Sequence, residues 1–187
     1  LNIRPIQTSM TLIEALQTAN QKDYKKSLDA FERSLEYGFL GQAEVREQLA
    51  SSAQIFLANG VPRDIQERYV QLTQQEFEKQ IMQAPNDMRY LNFYGVFLRG
   101  IGDTKGALAY LERAEKLSPK KQTLLFDLGA TYLVAKEYDT AIAVYKKAYE
   151  LDTSYENAKI SYAIAAIYAD NAPLAQELLS KISRNTL

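Results

Sequence analysis

Residues 88–121 of the chain, MRYLNFYGVFLRGIGDTKGALAYLERAEKLSPKK, align without a gap with residues 122–155, QTLLFDLGATYLVAKEYDTAIAVYKKAYELDTSY. Identical residues recur 34 positions apart in the two segments. The matched pairs are Leu91 with Leu125, Gly95 with Gly129, Ala107 with Ala141, Ala114 with Ala148, and Leu117 with Leu151. The period continues, because Ala175 follows Ala141 at the same distance. A fixed period of this length is the signature of stacked structural repeats.

Each repeat predicts a hairpin of two helices. The first helix, in residues 122–135, carries an apolar stripe at helical spacing. The stripe consists of Leu125, Leu128, Tyr132 and Leu133. Gly129 lies on it, and its missing side chain lets the second predicted helix, about residues 138–151, approach closely. One hairpin cannot bury both of its faces, so neighbouring hairpins are expected to stack.

These segments resemble the tetratricopeptide repeat, whose 34-residue pattern combines a large apolar residue, Leu-Gly and Tyr with a later Ala, aromatic residue, Ala and Pro. The matching residues of 88–121 are Leu91, Tyr94, Gly95, Leu98, Ala107, Leu111, Ala114 and Pro119. Those of 122–155 are Leu125, Leu128, Gly129, Tyr132, Ala141, Tyr145 and Ala148, with Thr153 in place of proline. A weaker third unit has Tyr162, Ala163, Ala175 and Leu179, with Ala166 at the tyrosine position.

The N-terminal residues 1–87 have helical patterns that do not follow this period. Thr11 and Glu14 have the spacing of a capping box and predict the start of a helix of about ten residues. Residues 23–38 predict the second helix of a hairpin, with Gly38 as its C-terminal stop. Its repeat positions are held by Tyr24, Ser27, Phe31 and Ser34.

Two longer helices are predicted before the regular repeats. The first covers about residues 42–59 and is closed by Gly60. The second opens at Pro62, runs for about 20 residues to Gln83, and stops before Pro85. We interpret them as an atypical hairpin.

The resemblance implies an all-α, tetratricopeptide-type α-solenoid, which is a right-handed superhelix of about ten antiparallel helices in about five hairpins. Residues 88–187 would hold three repeats, at 88–121, 122–155 and 156–187. The irregular residues 1–87 would continue the same superhelix, because no linker rich in glycine, serine or proline divides the chain.

Composition restricts the chemistry that the chain can perform. It has no cysteine and no histidine. Disulfides, thiolate metal sites and cysteine nucleophiles are therefore excluded, although the redox compartment stays open. Ser-His-Asp chemistry is excluded as well, and the side chain best suited to proton transfer near neutral pH is missing. We expect no catalytic site, cofactor or metal. Carboxylates near the predicted turns, Asp103, Asp139 and Asp170, are interpreted as helix caps, with an acid pair as the alternative.

Charge and hydropathy limit the partners. The chain has 22 basic and 23 acidic residues, interleaved, for a net charge of −1. Nucleic-acid binding usually needs a basic stripe, so a protein or peptide partner is expected instead. No apolar run approaches the roughly 20 residues that span a bilayer. Because the chain begins with Leu1 and not Met, we expect a piece of a longer protein.

In this family the first helices of the repeats line a concave groove that binds the partner. By that resemblance the groove residues are Arg89, Asn92, Val96 and Arg99 in the first repeat, Thr123, Phe126, Asp127 and Ala130 in the second, and Asn157, Ile160, Ile164 and Ile167 in the third. Phe126 is the best single candidate for a contact, because large aromatic residues are typical anchors. The alternative is that Phe126 only packs against neighbouring hairpins.

The stripe of Ile160, Ile164 and Ile167 also has two interpretations. Core packing or contact with the preceding repeat is the favoured one, and the alternative is a groove wall open to a partner helix or a second copy. The last predicted helix carries Leu174, Leu178 and Ile182, which suggest an uncapped end. A homo-oligomer through the terminal helices would follow from that.

Some family members bind a partner's C-terminal carboxylates with a clamp of lysine, asparagine and arginine. The corresponding positions here hold Asn92, Val96, Asp127, Asn157 and Ser161. Asp127 would repel carboxylates, so this mode is not expected.

A second, looser resemblance covers most of the chain. It rests on Asn2 to Pro5, Thr11 to Gln17, Ser34 to Leu49 and Ala114 to Gly129. These segments resemble the tail of bacterial membrane proteins similar to O-antigen ligases and polymerases. The resemblance implies a soluble accessory domain tethered at the cell envelope, with glycan transfer outside this chain. The alternatives are a stand-alone adaptor and a homo-oligomerising structural module, and the localisation stays open.

Overall fold

A computed structural model describes residues 4–38 and 41–182. These residues form eleven α-helices and no β-strand. The helices are α1 (Arg4–Asn20), α2 (Tyr24–Glu36), α3 (Gln42–Ser51), α4 (Ala53–Phe56), α5 (Arg63–Gln83), α6 (Met88–Gly100), α7 (Thr104–Leu117), α8 (Gln122–Val134), α9 (Tyr138–Leu151), α10 (Glu156–Tyr168) and α11 (Ala172–Ser180). The all-α class is confirmed, with one helix more than the predicted ten or so.

The chain divides into two compact units, Leu1–Ile101 and Gly102–Leu187. The first, called the N-unit below, contains α1 to α6, and the second, called the C-unit, contains α7 to α11. That residues 1–87 and 88–187 form one continuous superhelix stays a prediction. None of the helices that the structure describes has the length and apolarity needed to cross a membrane.

The predicted capping box at Thr11 is wrong. α1 already covers Arg4–Asn20, so Thr11 lies in the middle of this helix. Its hydroxyl donates a hydrogen bond of 2.7 Å to the backbone carbonyl of Gln7. Threonine can bond to the preceding turn of a helix as well as cap its start. The sequence spacing alone does not separate these two roles. Asn2 and Ile3, which belong to the looser resemblance, lie outside the described residues.

The predicted single helix over residues 42–59 is also wrong, because Ser52 divides it into α3 and α4. The Ser52 hydroxyl donates to the carbonyl of Gln48 at 2.8 Å, which competes with continued helical bonding. α4 ends at Phe56, four residues before Gly60. This short second segment places Phe56 in the core.

Other predicted helices are confirmed. α2 starts after Asp23, whose carboxylate accepts a 3.3 Å bond from the Lys26 amide, and Gly38 follows its end with φ +87°. α5 and α9 have the predicted bounds to within a residue. Of the three carboxylates interpreted as caps, Asp103 accepts from the Gly106 amide at 2.9 Å and caps α7. Asp170 does not cap α11, because the neighbouring Asn171 does.

One turn conformation closes three hairpins. Lys22, Lys136 and Asp170 are left-handed, with φ of 64°, 61° and 54°. In each turn the next amide donates at 2.9 Å to the carbonyl five residues earlier. The pairs are Asp23 to Thr18, Glu137 to Tyr132, and Asn171 to Ala166. Gly102, with φ +88°, takes the corresponding place before α7. The four left-handed residues therefore mark the same position in sequence before α2, α7, α9 and α11.

The core of the N-unit is rich in aromatic rings. Phe56 and Tyr69 stack with ring centroids 4.6 Å apart, and Tyr69 meets Phe97 edge-on at 6.0 Å. Phe77 and Tyr94 stack at 5.5 Å. Aromatic pairs in these geometries add about 0.5–1.5 kcal/mol each beyond the burial of their area. They join α4 and α5, which lie outside the regular repeats, to α6, the first helix of the regular repeats.

The C-unit is held by the small-to-large packing that its sequence predicts. A Cβ atom on Gly129 would lie 2.7 Å from Cζ of Tyr145, so the glycine is required for α8 and α9 to meet at this distance. Ala141 and Ala148 are fully buried on α9, and Leu128 is 3% exposed on α8. α10 packs against α9 and touches α8, while α11 packs against α10.

Candidate partner-binding surface

The candidate residues of the C-unit lie on α8 and α10, the first helices of two consecutive hairpins. On α10 the exposure of the three isoleucines increases from Ile160 to Ile167. Thr123 and Asn157 are exposed, and Phe126, Asp127, Ala130 and Ile160 are half-buried. Ile164 and Ile167 are 41% and 53% exposed. We call these eight residues the α8–α10 surface.

Phe126 serves packing and is accessible as well. Its ring centroid lies 6.3 Å from that of Tyr145 and 5.9 Å from that of Tyr155. Tyr145 belongs to α9 and Tyr155 directly precedes α10, so Phe126 lies where two hairpins meet. It remains half-buried and not fully enclosed. Both interpretations of Phe126 are therefore compatible with its surroundings.

The isoleucine stripe of α10 does not belong to the core. The buried residues of α10 are Ala158, Tyr162, Ala163, Ala165 and Ala166. Ile164 and Ile167 lie off this buried face and keep about half of their surface in water. The interpretation as core residues is therefore wrong for Ile164 and Ile167. Ile160 is the one member of the stripe that is half-buried.

Polar groups on the α8–α10 surface are few. The Thr131 hydroxyl donates to the backbone carbonyl of Asp127 at 2.7 Å. The Asn157 amide donates to the Tyr155 hydroxyl at 3.2 Å. Asp127 is the single ionisable residue among the eight members of this surface. The surface can therefore contact apolar side chains but offers no basic group to a carboxylate.

The candidate residues on α6 lie in the N-unit and have a different character. The Arg89 guanidinium lies 3.3 Å from a carboxylate oxygen of Asp87 and 3.8 Å from one of Glu47. The hydrogen bond that the Arg89 guanidinium donates to Asp87 raises the pKa of Arg89, while burial raises the pKa of the Glu47 carboxyl. Asn92, Val96 and Arg99 are half-buried.

Sequence patterns missed two tyrosines at the ends of α10. Tyr155 is 39% exposed beside Phe126, and Tyr168 is 59% exposed. Tyr168 stacks on Tyr138 with ring centroids 5.8 Å apart. The position of Tyr168 directly after Ile167 in sequence is a signal that it lies next to the isoleucine stripe. The repeat pattern assigns tyrosines such as Tyr132 and Tyr145 to packing and does not single out Tyr168.

The pKa of the Tyr132 hydroxyl is raised well above its usual value. The role of this residue is structural. Burial raises its pKa, and so does the 2.8 Å hydrogen bond that its hydroxyl donates to Glu112. This bond joins α8 to α7. Among the residues that the structure describes, no group of three or more acidic side chains is placed to hold a metal ion.

Comparisons with known proteins agree with the all-α repeat fold. The sequence profile of the tetratricopeptide repeat matches residues 98–159. Among curated proteins, none matches the chain in sequence. A solved MamA protein is 18% identical, with a TM-score of 0.59 over 93% of this chain and 87% of that one.

Two further solved structures are similar. PilF of Pseudomonas aeruginosa is 19% identical, with a TM-score of 0.64 over 94% of this chain and 74% of that one. A tetratricopeptide repeat protein from Parabacteroides merdae is 13% identical, with a TM-score of 0.67 over 93% and 64%. At these identities the similarity concerns the fold alone.

Proposed function

Because the chain carries a tetratricopeptide-repeat domain, we propose that it binds a partner polypeptide along the first helices of its repeats, on the α8–α10 surface. Domains of this fold serve as protein-interaction scaffolds. One observation carries the proposal, which is the exposure of Ile164 and Ile167 on α10, a helix that touches α8 with its half-buried Phe126. Contiguous exposed apolar residues are typical of interaction sites.

The chemistry of this surface indicates an apolar segment as the partner. Ile160, Ile164 and Ile167 have the spacing of one helical face. They would form an apolar wall of a groove in which an amphipathic partner helix could lie. Asp127 and Asn157 lie on the same two helices and supply polar groups next to the apolar ones. The single carboxylate favours a neutral or basic partner segment over an acidic one.

The test is photo-cross-linking of a partner to a photo-reactive residue at position 160, compared between variants of the surface. Ile164→Asp should abolish the cross-linked product formed by a photo-reactive residue at position 160, because a carboxylate would be buried without a partner. Val134→Asp is the matched control, since Val134 is 55% exposed on α8 and lies outside the surface. Both variants should keep the unfolding free energy within about 0.5 kcal/mol of the parent.

Two outcomes contradict this proposal. One is an unchanged cross-link with Ile164→Asp. The other is an equal loss with Val134→Asp, because that would show a general effect of added charge.

We also propose that the chain is an accessory domain of a bacterial envelope protein similar to O-antigen ligases and polymerases. The support is the resemblance of Thr11 to Gln17, Ser34 to Leu49 and Ala114 to Gly129. In that protein glycan transfer would occur outside this chain, and the α8–α10 surface would recruit an assembly partner.

Fractionation of cells that make the native full-length product tests the envelope proposal. Retention with membranes until detergent is added is the expected result. A freely soluble product would contradict the envelope proposal and would favour a stand-alone adaptor.

A further inference from the structure

The first helix of the chain exposes a row of apolar side chains. Ile6, Met10 and Ile13 lie at the i, i+4 and i+7 positions of α1 and are 58%, 66% and 54% exposed. The opposite side of α1 packs against α2, where Ala15 and Ala19 are buried. α1 therefore has one packed face and one open apolar face.

The common register of the hairpin turns identifies this open face. Met10 lies twelve residues before the left-handed residue of its turn, and so do Tyr90, Leu124 and Ala158 in the other hairpins. Those three residues are 6%, 0% and 0% exposed. Their helices α6, α8 and α10 each pack against the preceding helix, α5, α7 and α9. At the position of Met10, α6, α8 and α10 are therefore buried and pack on the helix before them, whereas α1 is open.

The last hairpin has the complementary opening. Leu179 lies nine residues after the left-handed residue of its turn, where Phe31, Leu111 and Tyr145 lie in the other hairpins. Leu179 is 40% exposed, whereas these three are 0%, 0% and 4% exposed. Their helices α2, α7 and α9 are each followed by a helix that packs on them. Among the described residues no helix follows α11.

A cleft marks the open position on the last hairpin. It has a volume of about 240 Å³ and lies between the end of α10 and α11. Its lining consists of Ile167, Asp170, Ala172, Ala175, Gln176 and Leu179. Four of these six residues are apolar.

We propose that two copies of this chain join head to tail, with the Ile6–Met10–Ile13 face of α1 in one copy seated on the α10–α11 cleft of the next. The contact would repeat between copies the junction that α10 makes with α9 within the chain. We infer a second copy as the occupant, because α1 has an open apolar face whose Met10 lies in the register at which α10 packs on α9. This proposal goes beyond the binding of a different partner on the α8–α10 surface.

Charge does not oppose this contact. The three exposed residues of α1 are uncharged, and the acidic residue of this helix, Glu14, is held 3.0 Å from Arg33 and 3.9 Å from Lys26. Asp170 is the single ionisable residue of the cleft lining. Because the two faces differ, the interface is heterologous. An assembly of any length therefore keeps a free α1 face at one end and a free cleft at the other.

The test is the concentration dependence of mass, measured by sedimentation from about 1 µM to about 1 mM. The parent chain should exceed its monomer mass of 21.2 kDa at the upper concentrations and approach it on dilution. Met10→Glu and Leu179→Glu should each raise the dissociation constant at least about tenfold. Matched controls with similar exposure are Met82→Glu and Leu151→Glu, and both should associate like the parent.

Mixing the two variants decides the arrangement. Met10→Glu keeps an intact cleft and Leu179→Glu keeps an intact α1, so the equimolar mixture should form a 1:1 dimer and nothing larger. A parent that stays monomeric throughout overturns the proposal. Association that survives either variant unchanged, or a mixture that stays monomeric, also overturns it. Ile167 belongs to both the cleft and the α8–α10 surface. Met10 and Leu179 belong to the proposed contact alone, so these variants test self-association separately from the Ile164→Asp test of partner binding.

Discussion

The two units join their helices by different kinds of contact. In the N-unit, Arg46 of α3 is 4% exposed and donates to Glu76 of α5 at 3.0 and 3.1 Å. In the C-unit, α8 and α9 instead meet where Gly129 admits the ring of Tyr145. Residues 1–87 of the N-unit lack a fixed period, and their helices differ in length, from 4 residues in α4 to 21 in α5. In the regular repeats, the fit of small and large side chains defines how closely α8 and α9 approach. In residues 1–87, buried polar pairs help to specify the spacing of the helices.

Polar contacts between helices recur through the N-unit. The Ser27 hydroxyl of α2 donates to the Ala15 carbonyl of α1 at 2.8 Å, and Ser34 donates to that of Thr8 at 2.9 Å. Arg68 of α5 bonds to Asp29 and Glu32 of α2. The predicted repeat positions of Ser27 and Ser34 are thus occupied by hydroxyl groups that bond where regular repeats have alanine.

Removing the buried arginine should have the largest effect. Arg46→Ala leaves Glu76 buried with only the Lys79 ammonium, 2.5 Å away, and should lower the unfolding free energy by about 3–5 kcal/mol. Urea denaturation measures this change. Arg63→Ala is the control, since Arg63 is 91% exposed and its pair with Glu67 is worth about 0–1 kcal/mol. Equal effects of the two substitutions would contradict a special role of buried polar pairs in the N-unit.

Filling the glycine position tests the shape-based packing of the C-unit. Gly129→Ala should lower the unfolding free energy by up to about 2 kcal/mol, because overpacking costs about 1–3 kcal/mol and the gain in helix propensity offsets about 1 kcal/mol of that cost. Gly100→Ala is the same change where nothing lies within 4 Å of the new Cβ, so it should be neutral or stabilising. Thermal unfolding distinguishes the two variants. A stabilising Gly129→Ala would show that Tyr145 can move aside freely.

The smallest expected effect concerns acid stability. The hydrogen bond from Arg68 is the main cause that lowers the pKa of Asp29. A carboxyl group whose pKa is lower in the folded state stabilises the protein at pH values above its unfolded-state pKa. This stabilisation is lost as the pH falls through the folded-state pKa. Asp29→Asn should therefore cost at most about 1 kcal/mol at pH 7, and the difference from the parent should shrink below about pH 4. A pH-independent difference, measured by urea titration, would assign the effect to packing.

The regular repeats could be predicted from the sequence, because each structural need is met by one residue type at a fixed spacing. Gly129, Tyr145 and Ala141 are examples, and the bounds of α9 follow from them. The break at Ser52 could not be predicted, since a serine hydroxyl can bond to the preceding turn without ending a helix. Nor could the Arg46–Glu76 pair, because its partners lie 30 residues apart and belong to no period.

The candidate surface was predicted in part. The spacing of Ile160, Ile164 and Ile167 indicated a single face, but only the structure shows that Ile164 and Ile167 are open to water. The exposed face of α1 was missed because the helix was predicted to begin at Thr11, which removes Ile6 and Met10 from it. An error in one helix start therefore concealed the apolar face on which the proposed contact between copies rests.

The shared hairpin turn has a consequence for folding kinetics. Each of the three turns is closed by a bond that spans five residues, so the two helices of a hairpin meet through contacts that are close in sequence. Chains dominated by local contacts fold quickly, and repeat arrays can nucleate at any unit and propagate. The hairpin of α8 and α9 could thus serve as a nucleus on which α10 and α11 add in turn.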